Sequence, residues 1–92
     1  MRRHFYTIEW TSRAQKQFRK ITDEKLKQRI IEIIENEIAS DPLIGKPLTL
    51  GFKGIRSYRI GRLRILYKPY KAKLIIVILR IEHRKSVYRK RI

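Results

Sequence analysis

The apolar residues of the first 40 positions predict one short strand followed by two helices. Residues 5–10 have the mixed apolar character of a strand. Over residues 11–40 the apolar side chains recur at helical spacing, beginning with Ala14, Phe18 and Ile21. Thr11 or Ser12 can cap the first helix, and Thr22 can cap a second one whose first turn is acidic. The segment Asp41-Pro42 then predicts the end of the helical region.

Three strands are predicted in the second half of the chain. Residues 42–54 contain three glycines and two prolines, which is typical of a loop. Strands follow at 55–60, 63–68 and 73–81, and the last is apolar on both faces, so we expect it in the centre of the sheet. Residues 84–92 form a basic tail. The order β-α-α-β-β-β predicts one α+β domain over residues 1–92, an antiparallel-dominated sheet with two helices packed on one face.

A glycine-first turn between two of these strands predicts their register. Gly61-Arg62 fits a two-residue type II′ turn. Arg59 then lies opposite Arg64, while the apolar and aromatic residues alternate onto the other face, which we expect to pack on the helices. That apolar face comprises Tyr58, Ile60, Leu63, Ile65 and Tyr67. Arg56 lies near the start of the same strand, and we expect it to approach the groove of Arg59 and Arg64.

The charge of the chain is concentrated in its second half. The net charge is +16 over 92 residues; residues 1–51 carry 10 basic and 7 acidic side chains, whereas residues 52–92 carry 14 basic side chains and one acid, Glu82. Such asymmetry favours a polyanionic partner, above all nucleic acid. The chain has no cysteine and no apolar run long enough to span a membrane, so we expect a cytoplasmic protein.

The arginines of this half are candidates for phosphate binding. If Arg59 and Arg64 were structural, each would need a carboxylate partner, but Glu82 is the only acid available in residues 52–92. The planar guanidinium binds phosphate bidentately and stays charged at any working pH. The segment His83-Arg84-Lys85-Ser86-Val87-Tyr88 adds a histidine whose ordinary pKa of about 6.5 suits proton transfer. Histidine in such a place is more often structural, and a tyrosine near a C-terminus more often packs than reacts.

Taken in order, these segments resemble the RelE/ParE superfamily of toxins from prokaryotic toxin–antitoxin systems. The resemblance covers nearly the whole chain and implies the RelE-like fold. It rests on Ile8-Glu9-Trp10-Thr11 with Ala14, Asp41-Pro42, Gly45-Lys46-Pro47-Leu48, Tyr58-Arg59-Ile60-Gly61, Leu63-Arg64-Ile65-Leu66-Tyr67 and the segment from His83 to Tyr88.

The resemblance implies a metal-free endoribonuclease that cleaves messenger RNA in the ribosomal A site and so inhibits translation, with the 2′-hydroxyl of the RNA as nucleophile. It implies Arg64 and Arg84 as phosphate-binding catalytic residues, with Tyr88 and His83 handling protons. The general base stays open between His83 and Tyr88, or catalysis rests mainly on positioning and charge. No cofactor is expected. Further phosphate-binding residues are expected in the same half of the chain: Lys53, Arg56, Arg59, Arg62 and Lys85.

Two other functions share the same sequence pattern. A ParE-type inhibitor of DNA gyrase would have the same fold without catalysis, and a basic RNA-binding module would bind without cleaving. For the toxin, the resemblance implies a RelB-like antitoxin as cognate partner, whose acidic segments would be attracted to the basic half of the chain. The ribosome and messenger RNA are the other expected partners.

Overall fold

The computed structural model of the chain describes residues 5–48 and 53–83. The candidate site residues Arg84, Lys85 and Tyr88, with the rest of the basic tail, lie outside these ranges. In chain order the elements are β1 (Thr7–Trp10), α1 (Ser12–Arg19), α2 (Glu24–Glu32) with a π-helical turn (Ile33–Ile38), β2 (Lys46–Pro47), β3 (Arg56–Ile60), β4 (Leu63–Tyr70), a 3₁₀ turn (Lys71–Lys73) and β5 (Ile75–His83).

The five strands form one mixed sheet in the order β1-β5-β4-β3-β2. The β1–β5 pair is parallel and the other pairs are antiparallel, which confirms the predicted α+β class. Strand β5 is interior, as predicted, although β4 is the middle strand. Strand β2 was not predicted, because a two-residue strand shows no alternation within the segment expected to be a loop. None of the helices in residues 5–48 and 53–83 is long and apolar enough to cross a membrane.

Side-chain caps begin both helices. The Oγ1 of Thr11 accepts a hydrogen bond from the Ala14 amide at 3.1 Å, as predicted for α1. For α2 the prediction of Thr22 is wrong by one residue, since Asp23 is the cap and its Oδ1 accepts from the Leu26 amide at 3.2 Å. The helical path continues through the π-helical turn, whose last bond joins the Ala39 amide to the Ile34 carbonyl.

The core lies between the helices and one face of the sheet. It is one cluster of buried side chains from the helices and from β4 and β5, and Tyr58 and Ile60 of β3 pack against it. The predicted apolar face of β3 and β4 is therefore confirmed. The helical part of the cluster is Ala14, Ile30, Ile33, Ile34 and Ile38, and the strand part is Leu63, Ile65, Tyr67, Ile76, Ile78 and Ile81.

The turn between β3 and β4 has the predicted geometry. Gly61 has φ of +56°, while Arg62 is not in the positive-φ region, which is the type II′ pattern. Ile60 pairs with Leu63 and Arg59 pairs with Arg64, as the turn predicts. The register of this hairpin is therefore confirmed.

A β-bulge interrupts the pairing of β4 with β5. Leu66 pairs with Arg80 and Tyr67 with Ile78, so Leu79 is an extra residue on β5. The bulge reverses the alternation, which is why Ile81 is buried along with Ile78 while Arg80 is exposed. The N-cap residue and one residue of α1 bond the backbone here: Thr11 Oγ1 donates to the Leu79 carbonyl at 2.9 Å, and Gln17 Oε1 accepts from the Ile81 amide at 2.8 Å.

A buried tyrosine ties the loop before β2 to the sheet. The Tyr67 hydroxyl donates to the Pro42 carbonyl at 2.8 Å and accepts from the Gly45 amide at 2.9 Å. Arg56 Nε donates to the Gly45 carbonyl at 2.9 Å. A Cβ on Gly45 would stand 2.7 Å from the Tyr67 hydroxyl and 2.8 Å from the Ser57 carbonyl, so only glycine fits. These bonds hold β2 against β3.

We expect Tyr67→Phe to lower the free energy of unfolding by about 1–3 kcal/mol, because it leaves the Gly45 amide and the Pro42 carbonyl without a partner in a buried place. Urea unfolding measures the loss. Tyr70→Phe is the control: Tyr70 is exposed and its hydroxyl bonds to none of the described residues, while its ring keeps the contact with Lys68. An equal loss in both variants would contradict this role for the Tyr67 hydroxyl.

Alkaline pH should weaken the same contact. Burial raises the pKa of Tyr67, with the Gly45 amide lowering it in part. A folded-state pKa above the unfolded value of about 10 contributes stability that is complete below pH 10 and is lost as the pH rises towards the folded-state pKa. We expect the urea midpoint to fall more steeply between about pH 9 and about pH 11 in the wild type than in Tyr67→Phe. Parallel curves would contradict this assignment.

Candidate nucleic-acid interface

Within residues 5–48 and 53–83, no helix lies on one face of the sheet, and the side chains of that face form two rows across the strands. We call it the open face. The first row contains Lys46 on β2, Ser57 on β3, Leu66 on β4 and Arg80 on β5, each in register with its neighbour. The second row contains Arg59, Arg64 and Glu82 on β3, β4 and β5. Paired residues in a sheet project to the same side, so the cations of both rows share one surface.

Arg59 and Arg64 lie side by side on this face, as the turn predicted. Arg59 is exposed and Arg64 partly exposed. Within the described part of the chain neither has a carboxylate within 4.0 Å, and the one ion pair there joins Arg80 Nη1 to Glu82 Oε2 at 3.1 Å. Like charges opposite each other on a sheet are destabilising, so the pair costs the fold some stability. It offers an anion two guanidinium groups that have no carboxylate partner among the described residues.

A cleft of about 470 Å³ opens beside these arginines. Lys46, Ser57, Arg59 and Arg64 line it, and the loop held by Tyr67 forms one wall through Ile44–Leu48. No acidic side chain is among the described residues that line it. The cleft can therefore receive a phosphate, with guanidinium, ammonium and hydroxyl donors on its surface.

The expectation that Arg56 approaches this groove is wrong. Arg56 pairs with Tyr67 and shares the phase of Tyr58, so it starts on the helix side of the sheet. Its guanidinium donates to the carbonyls of Gly45 at 2.9 Å and Leu43 at 3.1 Å. Arg56 therefore stabilises the loop that forms the wall of the cleft, and it does not line the cleft.

The other predicted residues lie apart from the cleft. Arg62 is exposed at the hairpin turn, and Lys53 is exposed in the turn before β3; neither lines the cleft. His83 pairs with Leu63, on the helix side of the sheet, and is exposed at the strand end. The structure therefore brings Arg59 and Arg64 together and separates His83 from them by the sheet itself.

His83 lines a second cleft, of about 580 Å³, between α1, the start of α2 and the ends of β4 and β5. Arg13, Lys20 and Asp23 line it as well, and so do Arg80 and Glu82 where β5 extends beyond its pairing with β1, so its charge is mixed. The hydroxyl of Tyr58 is also committed to the helix side, where it donates to Glu37 Oε1 at 2.8 Å, and this bond raises the pKa of Tyr58. Residues 5–48 and 53–83 contain no group of three or more His, Asp or Glu side chains that could hold a metal ion.

Sequence reasoning missed Lys46, Ser57 and Arg80 as members of the open face. Lys46 and Ser57 meet through β2, which was expected to be loop. Counting alternate residues from Ile76 and Ile78 would have placed Arg80 inside the core, and only the bulge turns it outward. A charged residue inside an otherwise apolar strand was the available signal for a bulge.

Comparison with known proteins agrees with this architecture. The family described as the ParE toxin of the type II toxin–antitoxin system, parDE, matches residues 8–88. The chain is 31% identical over 86 residues to Toxin RelG of Mycobacterium tuberculosis, an alignment covering 92% of this chain and 98% of that protein.

Solved structures agree as well. The toxin–antitoxin complex RelBE2 from Mycobacterium tuberculosis matches with a TM-score of 0.79 and 31% identity, covering 87% of this chain and 92% of that chain. The YoeB/ParE toxin from Agrobacterium tumefaciens matches in fold alone, with a TM-score of 0.73 and 19% identity over 84% of this chain and 96% of that chain. The architecture is thus that of the RelE-like toxins. The chain belongs to the RelE/ParE superfamily of toxins from type II toxin–antitoxin systems.

Removing one of the two facing arginines should stabilise the fold. We expect Arg59→Thr to raise the free energy of unfolding by up to about 1 kcal/mol at low salt, because it ends the repulsion with Arg64, and the gain should shrink in about 1 M NaCl. Lys46→Thr is the control, since Lys46 is an exposed cation on β2 whose cross-strand neighbour is the uncharged Ser57. Urea unfolding at both salt concentrations measures the difference, and an equal salt-dependent gain in the control would contradict the prediction.

Proposed function

We propose that this toxin is a metal-free endoribonuclease that cleaves messenger RNA in the ribosomal A site. The observation that carries the proposal is the pair Arg59 and Arg64, which lie opposite each other on the open face with no carboxylate partner among the described residues. The cleft beside them is lined by cations and has no acid among the described residues that line it. A phosphodiester is the anion that such a surface suits.

In the proposed reaction the 2′-hydroxyl of the RNA attacks the neighbouring phosphorus. A bond forms between the 2′-oxygen and phosphorus, the bond to the 5′-oxygen of the next nucleotide breaks, and a proton moves from the attacking to the leaving oxygen. Arg64 binds the non-bridging oxygens, which gain negative charge in the pentacoordinate state. A preorganised contact of this kind supports catalysis by about 2.7–4 kcal/mol.

The proton carriers in this proposal are His83 and Tyr88, with Arg84 as a second phosphate-binding arginine. The position of Arg64 fits its proposed role better than the position of His83 does. Arg64 lies on the open face and lines the cleft, whereas His83 lies on the helix side of the sheet. A substrate in the cleft would have to continue around the end of β5 to meet His83. The general base is therefore proposed as either His83 or Tyr88, and the alternative is catalysis by charge and positioning alone.

We further propose a RelB-like antitoxin as partner, together with the ribosome and its messenger RNA in the cytoplasm. The support for an antitoxin is that a 31% identical relative of solved structure is part of a toxin–antitoxin complex. An antitoxin with acidic segments would compete with RNA for the same cations. No cofactor is part of the proposal.

A second candidate is inhibition of DNA gyrase without catalysis. It is favoured by one observation, that the family matching residues 8–88 is described as a ParE toxin. The two candidates share a fold, so only the chemistry of the site separates them. Under this alternative the arginines of the open face would bind the gyrase protein or its DNA, and no RNA would be cut.

The test uses the purified chain on ribosomes carrying a defined messenger RNA, with cut sites mapped by primer extension. We expect a cut at the A-site codon, and we expect Arg64→Ala to slow single-turnover cleavage by about 10²–10³-fold because it removes one contact to the developing charge. Lys25→Ala is the matched control: it removes one exposed positive charge from α2, on the helix side. Arg84→Ala tests the second arginine in the same assay.

Unchanged cleavage in Arg64→Ala would contradict its assignment. If the wild type cut nothing, supercoiling by purified gyrase would be measured next. Inhibition there would establish the alternative, and binding to ribosomes without cleavage or gyrase inhibition would identify a basic RNA-binding module.

A further inference from the structure

The first row of the open face extends the basic surface beyond Arg59 and Arg64 in both directions. It runs from Lys46 on the edge strand through Ser57 and Leu66 to Arg80 on β5. Neighbouring strands are about 4.8 Å apart, so the row spans roughly 14 Å between its two cations. Arg59 and Arg64 lie in the adjacent row, between those ends.

Different features of the structure position the two cations at the ends of this row. At one end, the hydrogen bonds of Tyr67 and Arg56 to Gly45 hold the loop, which pairs Lys46 with Ser57. At the other end, the bulge at Leu79 turns Arg80 away from the core. Neither cation contributes to the core, and both are exposed, with 44% of the Arg80 side chain accessible.

Glu82 on β5 is an acidic residue within the basic open face, close to Arg80. Glu82 is the register neighbour of Arg64 on the adjacent strand, but its Oε2 accepts from Arg80 Nη1 at 3.1 Å. Only 15% of its side chain is exposed. A guanidinium has five N–H donors, and this single contact leaves others of Arg80 available. Glu82 therefore weakens the local positive potential without removing Arg80 as a ligand for an anion.

We propose that the open face is a track for the phosphates of single-stranded RNA that crosses the strands from Lys46 to Arg80. The scissile phosphate lies in the middle, at Arg59 and Arg64, and the two end cations bind flanking phosphates. The inference rests on the proposed RNA substrate. Proteins that bind single strands follow the backbone with such a basic groove, whereas duplex reading needs an element inserted into a groove of the helix.

The test is binding to a 2′-O-methyl oligonucleotide of about ten nucleotides, a length typical of single-strand sites. The methyl groups block the nucleophile, so binding is measured without cleavage. Affinity is measured over a series of salt concentrations. Each phosphate contact with a single strand contributes about 0.7 to the slope of log affinity against log salt.

We expect Lys46→Ala to reduce that slope by about 0.7. Arg80 is tested in the background of Glu82→Gln, because removing Arg80 alone would leave Glu82 free to pair with Arg64. The double variant Arg80→Ala, Glu82→Gln should lose about 0.7 relative to Glu82→Gln, which by itself should bind more tightly than the wild type. Lys25→Ala is the control for net charge and should leave the slope unchanged. Urea unfolding checks that each variant is folded.

An unchanged slope in Lys46→Ala or in the double variant would overturn the track, because it requires both ends. Losses seen on a DNA duplex of the same length and absent on the single strand would overturn the assignment to single-stranded RNA. If the wild type failed to bind the oligonucleotide, the track would be overturned as well. Cleavage on programmed ribosomes is a separate assay, so the proposed nuclease function could survive any of these results.

Discussion

The register of β4 against its two neighbours is the constraint on which the rest of this structure depends. Strand β4 buries Leu63, Ile65 and Tyr67 against the helices, and a slip of one residue would turn all of them to the open face. The turn at Gly61 sets its register with β3, and the bulge at Leu79 sets it with β5. Because burial of one face is obligatory, the positions of Arg59 and Arg64 on the other face follow.

The parts of the site that could be predicted from sequence are those set by local patterns. A glycine-first turn between alternating strands was enough to predict that Arg59 lies opposite Arg64. Lys46 could not be placed, because the loop that leads into β2 is held by bonds from Tyr67 and Arg56, which come from strands farther along the chain. The outward position of Arg80 depends on a bulge that Thr11 and Gln17 stabilise. A charged residue in an apolar strand indicates such a bulge, but no local pattern encodes the contacts that hold it.

The phase of a residue in its strand, rather than its charge, decides which arginines can meet a ligand. Arg56 and Arg59 are three positions apart in β3, an odd separation, so their side chains start on opposite faces of the sheet. The first bonds two loop carbonyls, and the second has no carboxylate partner among the described residues. His83 and Glu82 are neighbours in β5 and diverge in the same way. A count of basic residues therefore overestimates the number of cations that face a ligand. Arg56 contributes to the cleft by holding the loop that forms its wall.

The repulsion between Arg59 and Arg64 links the stability of the toxin to its ligands. An anion bound between them is favoured by direct attraction and also by relief of that repulsion, so its binding free energy includes part of the cost that the fold carries when empty. This holds for the phosphates of an RNA and for the carboxylates of an acidic antitoxin segment. An antitoxin that covered the open face would stabilise the toxin and exclude any other anion from it. Under the proposed nuclease function, neutralisation and catalysis would then depend on the same pair of side chains.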